Sequence, residues 1–321
     1  MNIADGGGGV PGISGLGVGG RQLAAALGPV AAWTWGLQFL PAERARGFVR
    51  MLADVGYPMT WIPEVMGSRE IFAHAGLVLA ADARPTVGTG IANIYARDPM
   101  AMANGARALG EAYPGRFVLG LGVSSQRTVT LRGGTYGKPV ATMRAYLDAM
   151  AAASYAGPVP SRPVPLVLAA INQHMLELAA ERTDGAHPFF APVEHTAFAR
   201  TVMGPTPWLG IAQPMVLTTD ADRARRIARS FAVHYLTMPH HRANLARFGF
   251  GDADLAGEGS DRLIDALVAW GDVDALVRRT RAHLDAGADQ VGLMVRTDST
   301  ADAGEAAYRE LAAALQEITA R

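Results

Sequence analysis

Short apolar runs alternate with helical periods eight times between residues 30 and 319 of this chain. In the first repeat, an apolar run at 30–37 precedes Pro41, after which Phe48, Leu52 and Val55 recur at helical spacing. Alternation of this kind predicts parallel strands in one sheet, with helices packed against it. The predicted strands cover residues 30–37, 59–62, 86–91, 117–121, 164–168, 184–187, 210–217 and 287–295.

Eight such units favour a closed barrel over a doubly wound sheet. The chain has 321 residues, and α/β barrels of about 250 residues or more are common. A doubly wound sheet usually carries a glycine fingerprint after its first strand, whereas Trp33, Thr34 and Trp35 stand there. We therefore predict one α/β domain, a (β/α)8 TIM barrel, at residues 28–321. The glycine-rich residues 1–27 predict a flexible tail, because they offer few side chains to bury.

The composition excludes several classes of protein. Lysine plus arginine and aspartate plus glutamate both number 29, and this balance argues against a nucleic-acid partner. The absence of cysteine excludes disulfides, thiolate metal sites and cysteine nucleophiles. No apolar run approaches the roughly 18 residues of a membrane span, and the first residues do not resemble a signal peptide. We predict a cytoplasmic protein with no membrane partner and, since no metal motif is present, no metal.

Barrel enzymes build their sites at the carboxyl ends of the strands. Trp33 and Trp35 alternate on the first strand and therefore share one face. We expect them either to form a wall for a flat ring or an apolar substrate, or to pack in the core. Glu64 follows the second strand in the sequence WIPEV. It is expected to act as a general base or as a hydrogen-bond partner of a cofactor ring, unless it is a surface carboxylate.

The segment GTGIANIYARDP at 88–99 joins the third strand to a helix. Its glycines permit a bulge or a close approach of the backbone to a ligand, and Asn93 and Tyr95 add polar groups. The alternative is an ordinary glycine-rich turn. After the fourth strand, Ser124 and Ser125 are interpreted as hydroxyls near a ligand or as part of an ordinary loop, since the flanking residues fit neither a hydrolase elbow nor a phosphate loop.

Two later segments complete the candidate site. Asn172 and Gln173 open the helix after the fifth strand, where free N–H groups form an anion site that suits a cofactor phosphate, or where Asn172 is a simple cap. His187 follows the sixth strand, where it is a candidate acid–base residue or a histidine without chemical function, and Phe189 follows it. His240 and His241 are adjacent on a predicted helix at 220–268, so their side chains point about 100° apart and make a poor metal pair.

These segments resemble the luciferase-like monooxygenase superfamily, and most closely its branch of F-420-dependent oxidoreductases. Most of the likeness lies in residues 88–125, with support from AAWTW, WIPEV, DGAHPF and the closing HLDAGADQVGL. The resemblance covers about residues 28–320. It implies a luciferase-like TIM barrel that holds a flavin or deazaflavin at its mouth. Relatives are often dimers, so the resemblance also implies a homodimer.

The resemblance assigns positions around the cofactor. Relatives support the central ring with a cis peptide in the third-strand bulge, and the matching bond is Gly90–Ile91. The remaining positions implied for the cofactor are Asn93, Glu64, Asn172 and Gln173. Sugar-phosphate dehydrogenases of the superfamily carry a glutamate after the fourth strand where this chain has Ser125, so that substrate is not expected here.

The predicted function is hydride transfer between C5 of coenzyme F-420, a deazaflavin, and a small organic substrate. The aromatic residues near the mouth (Trp33, Trp35, Phe189 and Phe190) point to an apolar or aromatic substrate. His187 is the first candidate for proton transfer and Glu64 the second. One alternative is an FMN-dependent monooxygenase that uses reduced flavin and O2. A second alternative is a non-catalytic barrel that binds a flavin.

Overall fold

Eight parallel strands close into a barrel in the computed structural model, which describes residues 19–299 and 302–319. The order around the ring is β1, β2, β3, β5, β6, β7, β8 and β10, and β10 pairs with both β8 and β1. The predicted TIM barrel is confirmed. The strands are β1 Val30–Trp33, β2 Met59–Ile62, β3 Thr86–Thr89, β4 Ala92–Asn93, β5 Phe117–Gly122, β6 Leu166–Leu168, β7 Gly185–Ala186, β8 Trp208–Leu217, β9 Ala269–Gly271 and β10 Gln290–Val295.

Helices form the outer layer of the barrel. Several begin as the sequence predicts: Pro99 occupies the first turn, and the Asp98 carboxylate accepts a hydrogen bond from the Ala101 N–H at 2.9 Å. A short 3-10 helix, Gly36–Phe39, follows β1. The α-helices are α1 Gly20–Leu27, α2 Ala42–Asp54, α3 Ile71–Leu79, α4 Pro99–Ala112, α5 Gln126–Leu131, α6 Pro139–Ala151, α7 Gln173–Arg182, α8 Val193–Met203, α9 Ala221–Leu236, α10 Pro239–Arg247, α11 Asp252–Leu255, α12 Asp261–Leu267, α13 Val273–Asp285 and α14 Glu305–Thr319.

The predicted tail at 1–27 is corrected at its carboxyl end. Residues 1–18 lie outside the described residues, but α1 packs beside the start of β8, and both Leu23 and Leu27 are buried. A Cβ atom on Gly20 would lie 2.0 Å from the Thr206 carbonyl oxygen, so α1 sits directly on the backbone that leads into β8. The helix escaped prediction because it has only eight residues and directly follows a glycine-rich run.

The region after β8 also differs from the prediction. The single helix predicted at 220–268 is four helices, separated near Pro239, Gly249 and Gly257. Proline starts a new helix, and both glycines adopt positive φ angles that interrupt helical geometry. The additional strand β9 pairs with the carboxyl end of β8 outside the ring.

Two apolar layers stabilise the barrel. Large side chains, among them Trp61, Trp208 and Met59, fill its interior and are fully buried. A second apolar layer lies between the sheet and the surrounding helices. Because the interior is packed with side chains, it is a core and not a channel, and ligands must bind at the end of the barrel. Among the helices of residues 19–299 and 302–319, none has the length and apolar character needed to cross a membrane.

Candidate active site

Trp33, Trp35 and Phe189 form a stacked group at the barrel mouth, which we call the aromatic wall. The ring of Trp33 lies 6.4 Å from that of Trp35 and 6.1 Å from that of Phe189, and both pairs are nearly parallel. Trp33 ends β1, whereas Phe189 follows β7, so the wall crosses the mouth past β10 and β8. The predicted alternation of the two tryptophans on one strand is wrong, because β1 ends at Trp33 and Trp35 has helical backbone angles, but the two indoles are nearly parallel.

His187 lies beneath the aromatic wall, inside the barrel. It is 2% exposed, its ring stacks on Trp61 at 4.3 Å, and its Nε2 accepts a hydrogen bond from the Trp33 indole N–H at 3.1 Å. Burial lowers the pKa of His187 to about 3, so the imidazole is neutral at physiological pH. These contacts favour a role for His187 in orienting Trp33 over a role in exchanging protons with a substrate.

Glu64 holds the backbone that follows β3. Its carboxylate accepts a hydrogen bond from the Asn93 N–H at 2.7 Å and pairs with both terminal nitrogens of Arg97. The side chain is 6% exposed and that of Arg97 is 11% exposed. The Asn93 side chain in turn accepts a hydrogen bond from the Tyr95 N–H at 2.9 Å. Glu64 and Asn93 therefore lie in contact, and the Glu64 carboxylate holds the backbone and Arg97.

The bulge between β3 and β4 contains the predicted cis peptide bond, Gly90–Ile91. A Cβ atom on Gly90 would lie 2.9 Å from the Trp33 indole nitrogen, so the bulge lies against the aromatic wall. A Cβ atom on Gly122 would lie 2.4 Å from the Ile91 side chain. Glycine at these positions lets the bulge approach both the wall and β5 closely.

Ser124 and Ser125 lie across the mouth from the aromatic wall, after β5. Ser124 adopts a positive φ of 58°, which is uncommon for a residue with a side chain. Ser125 caps α5, and its hydroxyl oxygen lies 3.1 Å from that of Thr128. The following loop connects these serines to Tyr95, because the Tyr136 hydroxyl donates to the Ser124 carbonyl at 3.5 Å and the Tyr95 and Tyr136 rings pack at 5.7 Å.

Asn172 and Gln173 open α7 at the end of β6 and are exposed to solvent. The Asn172 side chain makes no capping hydrogen bond, and the Gln173 side chain donates to Glu177 at 2.9 Å. The predicted side-chain cap is therefore absent here. The Met175 N–H donates to the Asn172 carbonyl at 3.1 Å, which leaves the N–H groups of Gln173 and His174 at the start of α7 for a ligand or water. Of the candidates predicted from sequence, these two lie apart from the others.

Three site residues were not predicted. Arg97 pairs with Glu64, Arg296 follows β10, and Tyr235 of α9 packs on Phe189 at 5.0 Å. Arg97 lies within the segment 88–99 that we singled out, and its position before a helix was a usable signal. Arg296 had a weaker one, since it is a charged residue directly after a buried strand.

Among the described residues no metal centre contributes to this site, and a separate cavity lies in the outer helical layer. Within residues 19–299 and 302–319, no group of three or more histidine, aspartate or glutamate side chains is arranged to hold a metal ion. A cavity of about 670 Å³ lies between α2 and α14, lined in part by Arg44, Phe48 and Glu305. It lies on the outer helical layer, and none of the predicted site residues lines it.

A closed parallel barrel with aromatic and polar groups at the carboxyl ends of its strands has the architecture of a TIM-barrel enzyme. Residues 27–290 match the family model of the luciferase-like monooxygenases, and the chain belongs to this family. The predicted family and the oxidoreductase class are thereby confirmed.

The similar proteins include one that depends on coenzyme F-420 and one that binds FMN, the two cofactors that the sequence analysis considers. The chain is 24% identical over 302 residues to the 5,10-methylenetetrahydromethanopterin reductase of Methanolobus tindarius, covering 80% of this chain and 93% of the reductase. The coenzyme F-420-dependent tetrahydromethanopterin reductase of Methanopyrus kandleri superposes with a TM-score of 0.65 at 15% identity, covering 89% and 98% of the two chains. The oxygenating constituent of 3,6-diketocamphane monooxygenase from Pseudomonas putida, in complex with FMN, superposes with a TM-score of 0.64 at 13% identity, covering 92% and 99%.

Proposed function

We propose that this protein is an oxidoreductase that transfers a hydride between coenzyme F-420 and a small organic substrate with an apolar or aromatic body. The observation that supports it best is the aromatic wall, which lies directly against the Gly90–Ile91 bulge. In the proposal, a flat ring system lies on the bulge and an apolar substrate lies on the wall. The likeness to methanopterin reductases adds support for the deazaflavin.

The residues present fit a cofactor of this kind. The glycines at 90 and 122 let the Gly90–Ile91 bulge pack closely on Trp33 and β5, and the buried Asn93 lies beside the bulge. In the proposal, the bulge and Asn93 hold the central ring, and Ser124 and Ser125 lie on its far side. The first turn of α7, at Asn172 and Gln173, binds the phosphate through its N–H groups and its dipole.

When bound, the deazaflavin supplies or accepts the hydride. The protein then has to align the substrate carbon with the cofactor and keep water away. Trp35 and Phe189, which are half-buried, do this by presenting ring faces to the substrate, while Trp33, which is 3% exposed, packs against both and is held by His187. Glu64, through Asn93, fixes the backbone that carries the bulge.

The acid–base role predicted for His187, with Glu64 in reserve, is retained as a second hypothesis. Proton exchange with a substrate requires that His187 release the Trp33 N–H and become accessible from the mouth. A pH profile that loses one limb in a His187 variant supports this hypothesis.

An FMN-dependent monooxygenase is the alternative function, because an FMN-bound monooxygenase shares the fold. A deazaflavin has carbon in place of the N5 nitrogen and reacts poorly with oxygen, so the two chemistries are separable. A non-catalytic flavin-binding barrel is the remaining alternative.

Titration of the purified protein with F-420, and separately with FMN, tests the proposal. We expect micromolar or tighter binding of F-420, weak binding of FMN, and F-420-dependent turnover of an alcohol, ketone or imine without oxygen consumption. Preference for FMN, with oxygen consumed in the presence of reduced FMN, contradicts the proposal and supports the monooxygenase. Binding of neither cofactor, or binding without turnover, supports the non-catalytic barrel.

A further inference from the structure

Arg296 carries a positive charge to the barrel mouth, and its guanidinium donates no hydrogen bond to residues 19–299 or 302–319. It is the first residue after β10, and its backbone N–H donates to the Met215 carbonyl at 2.8 Å, which fixes the residue between two strand ends. The guanidinium carbon lies 5.3 Å from the ring of Trp35 and 4.9 Å from that of Phe231. The Nε atom is buried and makes no hydrogen bond.

This environment distinguishes Arg296 from the other arginines of the described residues. Every other arginine that is buried or half-buried donates at least one side-chain hydrogen bond to a carboxylate, a side-chain carbonyl or a backbone carbonyl. For example, Arg107 donates to the Ala153 carbonyl and Arg279 donates to the Ala266 carbonyl. No carboxylate of the described residues forms an ion pair with Arg296. Burial also lowers the pKa of its guanidinium, although arginine remains protonated.

An uncompensated, partly buried guanidinium has a free-energy cost that ring faces offset only in part. A carboxylate or similar anion would offset it fully, because it accepts two parallel hydrogen bonds from the planar group. Such a charge at a ligand-binding surface therefore indicates an anionic ligand.

The position of Arg296 indicates which ligand carries the anion. The phosphate-binding positions proposed above, Asn172 and Gln173, follow β6, three places from β10 in the ring. Arg296 instead lies over Trp35, a member of the aromatic wall. Phe231 and Tyr235, which pack against Phe189, continue the apolar surface beside it.

We propose that Arg296 binds an anionic group of the substrate, so that the substrate class is an organic acid whose apolar or aromatic body lies on the aromatic wall. This inference rests on the proposed function for its assignment of the wall to the substrate. Arg296 then determines specificity: it selects the acid over the neutral analogue of the same shape.

Calorimetric titration with 2-naphthoate and 2-naphthamide tests the proposal, with the protein free and saturated with F-420. We expect naphthoate to bind at least about tenfold more tightly than naphthamide, as a charge-assisted hydrogen bond provides. Arg296→Met should abolish the preference, and Arg296→Lys should retain part of it. Arg262→Met is the matched control, because Arg262 also lies over a ring, that of Phe250 at 4.5 Å, but is exposed on α12.

Equal binding of the two probes to the wild type overturns the proposal. It is also overturned if Arg296→Met weakens F-420 binding while the probe preference is unchanged, because the anion then belongs to the cofactor. Thermal unfolding of each variant checks that the fold is retained. If the protein fails to bind F-420 but prefers naphthoate in an Arg296-dependent manner, the proposed cofactor is wrong and the anion site stands.

Discussion

The indole N–H of Trp33 donates a hydrogen bond to Nε2 of His187 across 3.1 Å, between residues at the ends of β1 and β7. The bond joins the aromatic wall to the packed interior, since His187 stacks on Trp61 below it. It also fixes the tautomer: Nε2 is the acceptor, so the proton of the neutral imidazole resides on Nδ1. His187, inside the barrel, thus orients the aromatic wall.

Substitutions of His187 distinguish a role in orienting Trp33 from a role in proton transfer. His187→Gln can still accept the Trp33 N–H, and we expect its KM to stay close to that of the wild type. His187→Leu leaves the indole N–H unpaired, a cost of about 1–3 kcal/mol, and we expect a roughly tenfold higher KM. Because the pKa of His187 is lowered to about 3, neither variant should change the pH profile of kcat/KM between pH 6 and 9. Loss of one limb of that profile in both variants would establish His187 as the acid–base residue.

Buried histidines make the fold sensitive to mild acid. Burial lowers their pKa well below the value of about 6.5 expected in the unfolded chain, so the unfolded state binds more protons below pH 6.5. Their stabilisation is complete above pH 6.5 and is lost as the pH falls towards their folded pKa values, by about 1 kcal/mol per histidine per pH unit. The histidines concerned, with folded pKa values of about 3 or 4, are His74, His187, His195, His241 and His283.

Urea unfolding at pH 7.5 and pH 5.5 measures this effect. We expect a clearly lower free energy of unfolding at pH 5.5, and a smaller difference between the two pH values in His283→Gln. His174→Gln is the control, because His174 is exposed on α7 and should leave the difference unchanged. A wild-type stability that does not change between the two pH values contradicts the assignment.

Glu64 is expected to stabilise both the fold and the cofactor site. Glu64→Gln leaves Arg97 with the more exposed Glu70 as its ion-pair partner and weakens the contact to the Asn93 N–H. Disrupting a buried pair costs about 3 kcal/mol, and we expect F-420 affinity to fall at least tenfold because the bulge loses its support. The free energy of unfolding and the Kd are the two readouts.

Glu43→Gln provides the comparison for Glu64. Glu43 also pairs with two arginines, Arg46 and Arg50, but its side chain is 77% exposed on α2. Its replacement should change stability by less than about 0.5 kcal/mol and leave F-420 binding unchanged. Equal effects of the two substitutions would show that Glu64 has no special role.

Gly120 is expected to tolerate no side chain. A Cβ atom there would lie 2.1 Å from the Thr89 carbonyl oxygen, and the Thr89 hydroxyl bonds to both the N–H and the carbonyl of Gly120 at 2.8 Å. Gly120→Ala should therefore separate β3 from β5 and reduce the yield of folded protein. Gly47→Ala is the opposite case: it faces open space within α2 and should stabilise the protein by about 0.5–1 kcal/mol. Thermal unfolding of both variants compares them, and a stable Gly120→Ala barrel would refute the close approach.

The fold was predictable because each barrel strand is a short apolar run set apart by turn residues. Two strands, at 59–62 and 117–122, were predicted within one residue of their ends. Prediction failed where that contrast is weak. In the segment after β8, the richness in arginine and alanine led to one predicted helix, although Pro239 and the glycines at 249, 251, 257 and 259 mark its breaks. The three residues of β9 are too few to show a period.

For the candidate site, the sequence predicted only that its residues lie at the ends of the barrel strands. The pattern marks where a strand stops but not how deep its last side chain lies, so Trp33 at the mouth and His187 below it looked alike. The Glu64–Arg97 pair and the position of Arg296 over Phe231 depend on contacts between segments distant in the chain. No local period encodes such contacts, and only the closed ring brings them together.

The closing strand β10 has a consequence for synthesis of the protein. Val291 pairs with Val30 of β1 and with Ile211 of β8. The first strand of the barrel therefore lacks one of its two neighbours until the last strand has been synthesised. On a ribosome, which delivers the chain from its amino end, β1 and β8 are left as open sheet edges until residues 290–295 emerge. Nascent chains of this protein are thus exposed to edge-to-edge aggregation for most of translation, and a chaperone that shields strand edges would act during that interval.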